Sequence, residues 1–341
     1  MTFPREALLP YGGWIPRLDR ARATVGAMDD PAAVAESVRH EFVLAGGLRF
    51  HVAKCGGGDR LALLLHGFPE CWYSWRHQLP VLADQGYEVW APDLRGCGQT
   101  TVPPRLEDYA IERLMDDVAA LIDAAGKREV TLIGHDWGGL IAWYFAMRRA
   151  RPLARLVVLN LPHPFAAEPA YRSWKQRGKS LYALFFQIPR LPEALLRARG
   201  CRAVGDAIRR SCCHPERFPD AVLAVHRESA AHPGVLTGML NYYRAFVIRG
   251  KGFARQKAQG APRIETPTLM IWGERDIALS LETTRGTGRF VSDLTFRSLP
   301  DASHWVQQDD PETVNRMLRA WLSGEEVPAA LEPGALRAPP P

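Results

Sequence analysis

The sequence predicts an α/β fold, a mostly parallel sheet covered by helices and interrupted by one helical insert. Two observations carry this expectation. Short β-favouring runs alternate with stretches of helical spacing, the pattern of parallel strands joined by crossover helices. In addition, the junction from Thr131 to Leu140 reads T-L-I-G-H-D-W-G-G-L. There Gly134 and Gly138 fit a G-x-nucleophile-x-G turn between a strand and a helix, with Asp136 at its tip.

Taken in order, residues 1–38 are rich in Arg, Ala and Pro, and are expected to form an extension with at most one short helix. Regular structure should begin in H-E-F-V-L-A-G-G-L-R-F-H-V-A-K, where two β runs flank Gly46-Gly47, a hairpin signal. Strands are expected over Leu61–Leu65, Tyr87–Ala91, Val130–Ile133 and Leu156–Leu159, with helical spacing over Ile111–Ala124 and Leu140–Arg149. The alternation stops at Asn160-Leu161-Pro162-His163-Pro164. Residues 165–262 are helix-like and aromatic, and read as a cap inserted between two parts of one core, 39–164 and 263–323. Strands resume at Pro267–Trp272 and Leu294–Leu299. Residues 324–341, ending in three prolines, have the composition of a disordered tail.

The 341 residues are 47% hydrophobic, enough for a sizeable core beneath such a cap. The net charge of +6 comes from scattered arginines without an aromatic-interleaved basic motif, so no nucleic-acid partner is expected. Six cysteines show no C-x-x-C pair and no metal-ligand spacing, which predicts reduced thiols, a cytoplasmic setting and no metal. The start lacks the layout of a signal peptide, and no run reaches the roughly 18 apolar residues of a span, so no integral membrane segment is expected. A homo-oligomer is compatible with the sequence.

A carboxylate at the elbow narrows the chemistry. A serine attacking a saturated carbon would leave an ether that water cannot cleave, whereas a carboxylate leaves an ester that water can open. Asp136 therefore points to an sp3 carbon bearing a leaving group, an epoxide or an alkyl halide. The water-activating partners should follow on loops after later strands, acid first and histidine second. His304, in D-A-S-H-W, is the expected base, and Asp276, in G-E-R-D, the expected acid, with Glu274 and Asp301 as nearby competitors. The other position for an acid, after the strand ending at Leu159, holds Asn160, whose amide cannot serve.

H-G-F-P-E at 66–70 lies where a loop would supply half of an oxyanion hole. The backbone N–H groups of Phe68 and Trp137 are expected to face the Asp136 carboxyl, with His66 shaping the loop. His66, Phe68, Trp72, Trp137, Phe185, Phe186 and Trp305 are candidate lining for a substrate pocket between core and cap.

From about His40 to Leu322 the chain resembles the epoxide hydrolase branch of the α/β-hydrolase family. The resemblance rests on H-G-F-P-E, G-H-D-W-G-G at 134–139, F-F-Q-I-P at 185–189, N-Y-Y-R at 241–244 and S-H-W-V-Q-Q-D-D-P at 303–311. It implies an α/β-hydrolase fold, an epoxide and water as substrates, and no cofactor. It also implies a cis peptide at Phe68-Pro69 and two cap tyrosines donating to the epoxide oxygen, which fall on Tyr182 and Tyr243, with Tyr242 one residue away. Cys97, in R-G-C-G-Q, departs from the tyrosine frequent there. Haloalkane dehalogenases resemble the chain in the Asp elbow and Trp137, but commonly place asparagine after His-Gly where this chain has Phe68. A catalytically silent binding protein on the same fold fits poorly with an intact nucleophile, base and acid.

Overall fold

Along the strand Arg60–Leu65, Leu61, Leu63 and Leu65 turn to one side of the sheet and Ala62 and Leu64 to the other, and all five are buried. A strand apolar on both faces must lie between two layers of helices. The computed structural model, which describes residues 34, 38–179, 181–246 and 251–330, has this layering.

Eight strands form one sheet: β1 (Arg39–Ala45), β2 (Leu48–Gly56), β3 (Arg60–Leu65), β4 (Tyr87–Pro92), β5 (Glu129–His135), β6 (Arg155–Leu159), β7 (Thr268–Gly273) and β8 (Leu294–Leu299). Their order is β1-β2-β4-β3-β5-β6-β7-β8. The β1–β2 hairpin closes with Ala45 opposite Leu48, β2 runs antiparallel to β4, and every other pair is parallel. Helices α1 (Gln78–Asp84), α2 (Ile111–Ala125) and α3 (Trp137–Arg148) belong to the first half of the core. Leu114, Val118, Ile141 and Phe145 of α2 and α3 cover the face of Leu61 and Leu63. Leu79 and Leu82 of α1 cover the opposite face.

Between β6 and β7 the chain forms the helices α4 (Glu168–Tyr171), α5 (Trp174–Lys179), α6 (Leu181–Phe185), α7 (Leu191–Ser211), α8 (Asp220–Ala231), α9 (Val235–Phe246) and α10 (Gly252–Ala258). α7 breaks at Ala198–Cys201, where Arg199, Gly200 and Cys201 take positive φ. After β8 come α11 (Val306–Asp309) and α12 (Pro311–Ser323). The Asp310 side chain accepts the Thr313 N–H at 3.0 Å and caps α12, whose Val314, Met317 and Leu318 join α1 on the second face.

Two sequence expectations need correction. The helix expected from Leu140 begins at Trp137, because the glycines that let the elbow pack closely also blank out the helical apolar spacing in its first turn. Residues 324–330, expected within a disordered tail, are held on the core: Val327 is buried, and its carbonyl accepts Arg297 Nε and Nη2 at 3.0 and 2.7 Å. The expectations for residues 1–33, 35–37 and 331–341 lie outside the described residues. The six cysteines are free thiols. Among the described residues no helix is long and apolar enough to cross a membrane, and no group of His, Cys, Asp or Glu side chains forms a metal site.

Candidate active site

β5 ends at His135 and α3 starts at Trp137, so the single residue between them makes the whole reversal. Asp136 takes φ 49° and ψ −119°, a conformation that costs an L residue on the order of 1–3 kcal/mol and holds its side chain at the tip. Close packing enforces the turn. A Cβ at Gly138 would lie 2.1 Å from the Leu65 carbonyl oxygen, and one at Gly67 would lie 2.4 Å from the Asp136 Cβ. Only glycine fits at either place. The Gly138 N–H also donates to the His66 carbonyl at 3.1 Å, pinning the start of α3 to the loop after β3.

His304 and Asp276 converge on this tip from the loops after β8 and β7. His304 Nε2 stands 3.5 Å from Asp136 Oδ2, and its Nδ1 is 2.7 Å from Asp276 Oδ2. The Asp276 Oδ1 accepts the Ala278 and Leu279 N–H groups at 2.7 and 2.8 Å. Its Oδ2 also accepts Asn160 Nδ2 at 2.8 Å, and Asn160 Oδ1 accepts the Gly273 N–H at 2.8 Å. The competing carboxylates point elsewhere: Glu274 accepts Ser298 Oγ, and Asp301 pairs with Arg275.

Burial opposes charge on both partners but does not win. It would raise the Asp276 carboxyl, yet His304, Asn160 and the Leu279 N–H hold it below its ordinary value. It would lower the His304 imidazole, yet the facing carboxylates, Asp276 above all, hold it well above its ordinary value. Carboxylates on both sides thus favour the charged form of His304 in the resting protein.

The Phe68 N–H donates to Asp136 Oδ1 at 2.8 Å, and the Phe68-Pro69 peptide is cis. Trp137, the first residue of α3, makes no backbone hydrogen bond to that carboxylate among the described residues. As a first-turn residue its N–H has no partner within the helix. His66 is fully buried, accepts the Leu94 N–H at Nε2 and donates from Nδ1 to the Gly67 carbonyl, so it shapes the loop without meeting Asp136. Burial holds it below its ordinary value and therefore neutral.

The cap brings two phenols to the same place. The Tyr182 and Tyr243 rings are 5.8 Å apart, and Tyr243 packs edge-on to Trp137, Phe68 and Phe186 at 4.9, 5.2 and 5.1 Å. Burial, with Asp136 nearby, holds both phenols well above their ordinary value, so they stay protonated. The Tyr242 hydroxyl is turned away, donating to the Arg95 carbonyl at 2.8 Å. Tyr171 and Tyr182 are 38% and 37% exposed, so the site opens to solvent on this side, as a cleft beside the phenols.

Phe68, Trp137, Phe186 and, at their edge, Phe185 form one aromatic wall, with a narrow crevice between Phe68, Trp137, Met239 and Tyr242. Trp72 and Trp305 do not belong to it. Trp72 packs on His40 and His51 beside β1 and β2. Trp305 lies behind His304, donates Nε1 to Ser211 at 2.8 Å and fills the core of the second face. A separate cavity of about 440 Å³ beside Phe165, Phe290 and Arg285 contains none of the candidate residues.

Several neighbours escape sequence reasoning. Asn160 looks disqualified because it cannot be the acid, yet it holds the acid; its place directly after β6 was the available signal. Glu70, fully buried, accepts the Gly67 N–H at 2.9 Å and His135 Nδ1 at 2.7 Å, while His135 Nε2 donates to the His304 carbonyl at 2.8 Å. This chain ties the loop after β3, the end of β5 and the base together. Tyr171, whose phenol is influenced by Asp136 and Asp276, stands in a short helix without periodicity to mark it.

Residues 63–311 match the family model described as alpha/beta hydrolase fold. The chain belongs to the α/β-hydrolase fold family, in its epoxide hydrolase branch. It is 39% identical to epoxide hydrolase 3 of Xenopus tropicalis over 285 residues, 81% of this chain and 75% of that protein. It is 37% identical to the AB hydrolase superfamily protein YfhM of Bacillus subtilis over 295 residues, 85% of this chain and the whole of that one. A crystal structure of an epoxide hydrolase from Vigna radiata superposes with a TM-score of 0.72 at 29% identity, covering 85% of this chain and 99% of that one.

Proposed function

We propose that this protein hydrolyses epoxides to vicinal diols through an ester on Asp136. The observation that carries the proposal is a carboxylate, not a hydroxyl, at the elbow tip, faced from the cap by two protonated phenols and from the core by a histidine.

Asp136 Oδ attacks an epoxide carbon, the C–O bond breaks, and its electron pair goes to the oxygen, which takes its proton from the Tyr182 and Tyr243 pair. His304, held by Asp276, removes a proton from water, and the hydroxide attacks the Asp136 carbonyl carbon. The oxyanion formed there lies against the Phe68 and Trp137 N–H groups. Its collapse expels the diol's second oxygen, contributed by Asp136, as an alkoxide that takes back the proton held by His304, and the Asp136 carboxyl then returns its own proton to His304. An alkyl halide would leave as an anion that needs no proton, so paired phenols favour the epoxide over the dehalogenase alternative.

The ester also accounts for how one imidazole is charged at rest and basic later. Alkylation removes the Asp136 charge, one of the two carboxylates that hold His304 high, so the imidazole loses affinity for its proton, which passes to the phenolate left by epoxide opening and frees His304 as the base. Ester hydrolysis in a single turnover should then weaken as pH falls through the His304 pKa of the alkyl-enzyme. That value is expected below the one read by NMR for His304 in the free protein. An equal or higher value would remove this switch from the mechanism.

The direct test of the covalent route is one turnover in heavy-oxygen water. The label should enter the Asp136 carboxylate and leave the first diol unlabelled. A labelled first diol means that water opens the epoxide directly, and defeats the proposal.

A further inference from the structure

We propose that the outer face of the cap formed by α6 and the start of α7 docks on an anionic lipid bilayer. Of the ten large hydrophobic side chains exposed among the described residues, six lie between positions 181 and 195: Tyr182, at the site, and five aliphatics, Leu181, Leu184, Ile188, Leu191 and Leu195, between 43% and 61% exposed. Isolated exposed aliphatics are ordinary, but five in one short stretch are not. Their spacing puts them on faces. Leu181, Leu184 and Ile188 follow i, i+3, i+7 along α6 and the turn after it, and Leu191 and Leu195 follow i, i+4 on α7.

The charge among them identifies the occupant. Arg190, Arg197 and Arg199 are exposed and have no carboxylate partner among the described residues. The acid within the stretch, Glu193, is taken by Arg244 at 2.7 and 3.0 Å. The surface therefore offers aliphatic side chains and three uncompensated guanidinium groups, the combination with which an interfacial helix enters the headgroup layer of an acidic membrane. A protein partner would also need acidic groups opposite these arginines, whereas a bilayer supplies phosphate and hydrocarbon together. The patch adjoins the cleft as well: Tyr182 lies between Leu181 and Leu184, and its ring packs inward on Phe186 and Tyr243. An apolar substrate dissolved in the lipid would meet the protein beside its phenols.

The test is flotation of the full chain with vesicles of phosphatidylcholine alone, or of equal parts phosphatidylcholine and phosphatidylglycerol, without substrate, so that the outcome is independent of the epoxide proposal. Binding is expected to the acidic vesicles, and to weaken with added salt and without phosphatidylglycerol. Arg190→Gln/Arg197→Gln/Arg199→Gln should weaken it roughly a hundredfold, at about fivefold per charge. Leu184→Ser/Leu191→Ser/Leu195→Ser should weaken it too, with the unfolding temperature of either variant unchanged because these side chains are exposed. Absence of binding to acidic vesicles in low salt overturns the proposal, as does undiminished binding by both variants. Light scattering that shows a dimer which the serine variant dissociates would also overturn it, assigning the face to a second copy.

Discussion

His304→Gln protein mixed with an epoxide is expected to gain the mass of one substrate and keep it. Glutamine fills much of the imidazole's space but cannot accept a proton from water, so alkylation by Asp136 proceeds while hydrolysis stops. Loss of a general base typically costs 10²–10⁴-fold, enough for the ester to outlast the measurement. Intact-protein mass spectrometry reads the adduct, and peptide mapping should place it on Asp136. Asp276→Asn should slow hydrolysis and affect alkylation less, because the amide cannot stabilise the imidazolium that His304 becomes. Glu274→Gln should behave like the unaltered protein, since that carboxylate is turned to Ser298. Full turnover by the His304 variant, or an adduct elsewhere, would sink the covalent mechanism. A larger loss from Glu274→Gln than from Asp276→Asn would move the acid.

The parts of this site that could be read in the sequence are those whose chemistry constrains the backbone. The elbow is legible because Gly134 and Gly138 have to be small for the strand and helix to approach, and the residue between them has to project. The central strands β3 and β5 are legible because both their faces are buried, which leaves short continuous apolar runs. Side-chain direction within the cap is different. Tyr242 and Tyr243 are adjacent on α9, about 100° apart around its axis, so one meets the cleft and the other the Arg95 carbonyl, and the sequence has no signal for which. Trp72 and Trp305 look like pocket residues because they adjoin motif residues, yet each follows a turn that sends its ring into packing beside β1 and β2 or behind His304. Asn160, Glu70 and His135 act through hydrogen bonds between loops far apart in the chain, which only the assembled sheet brings within reach.

The phenol pair gives the sharpest distinction between opening an epoxide and displacing a halide, because only the epoxide oxygen must be protonated. Tyr182→Phe or Tyr243→Phe should each slow alkylation by roughly 10²-fold, and the double change should nearly abolish it, as measured by rapid-quench mass spectrometry of the Asp136 ester. Each phenylalanine keeps the ring contacts, Tyr243 with Trp137, Phe68 and Phe186, and Tyr182 with Phe186. A loss of rate without a change in unfolding temperature therefore reports the hydroxyl. Burial holds both phenols well above their ordinary value, so alkylation by the unaltered protein should persist into alkaline solution that would ionise an exposed tyrosine. Near-normal alkylation by the double variant would remove the pair from the mechanism. Tyr242 already donates to the Arg95 carbonyl, so Tyr171, the remaining phenol influenced by Asp136, would then be the donor to replace next.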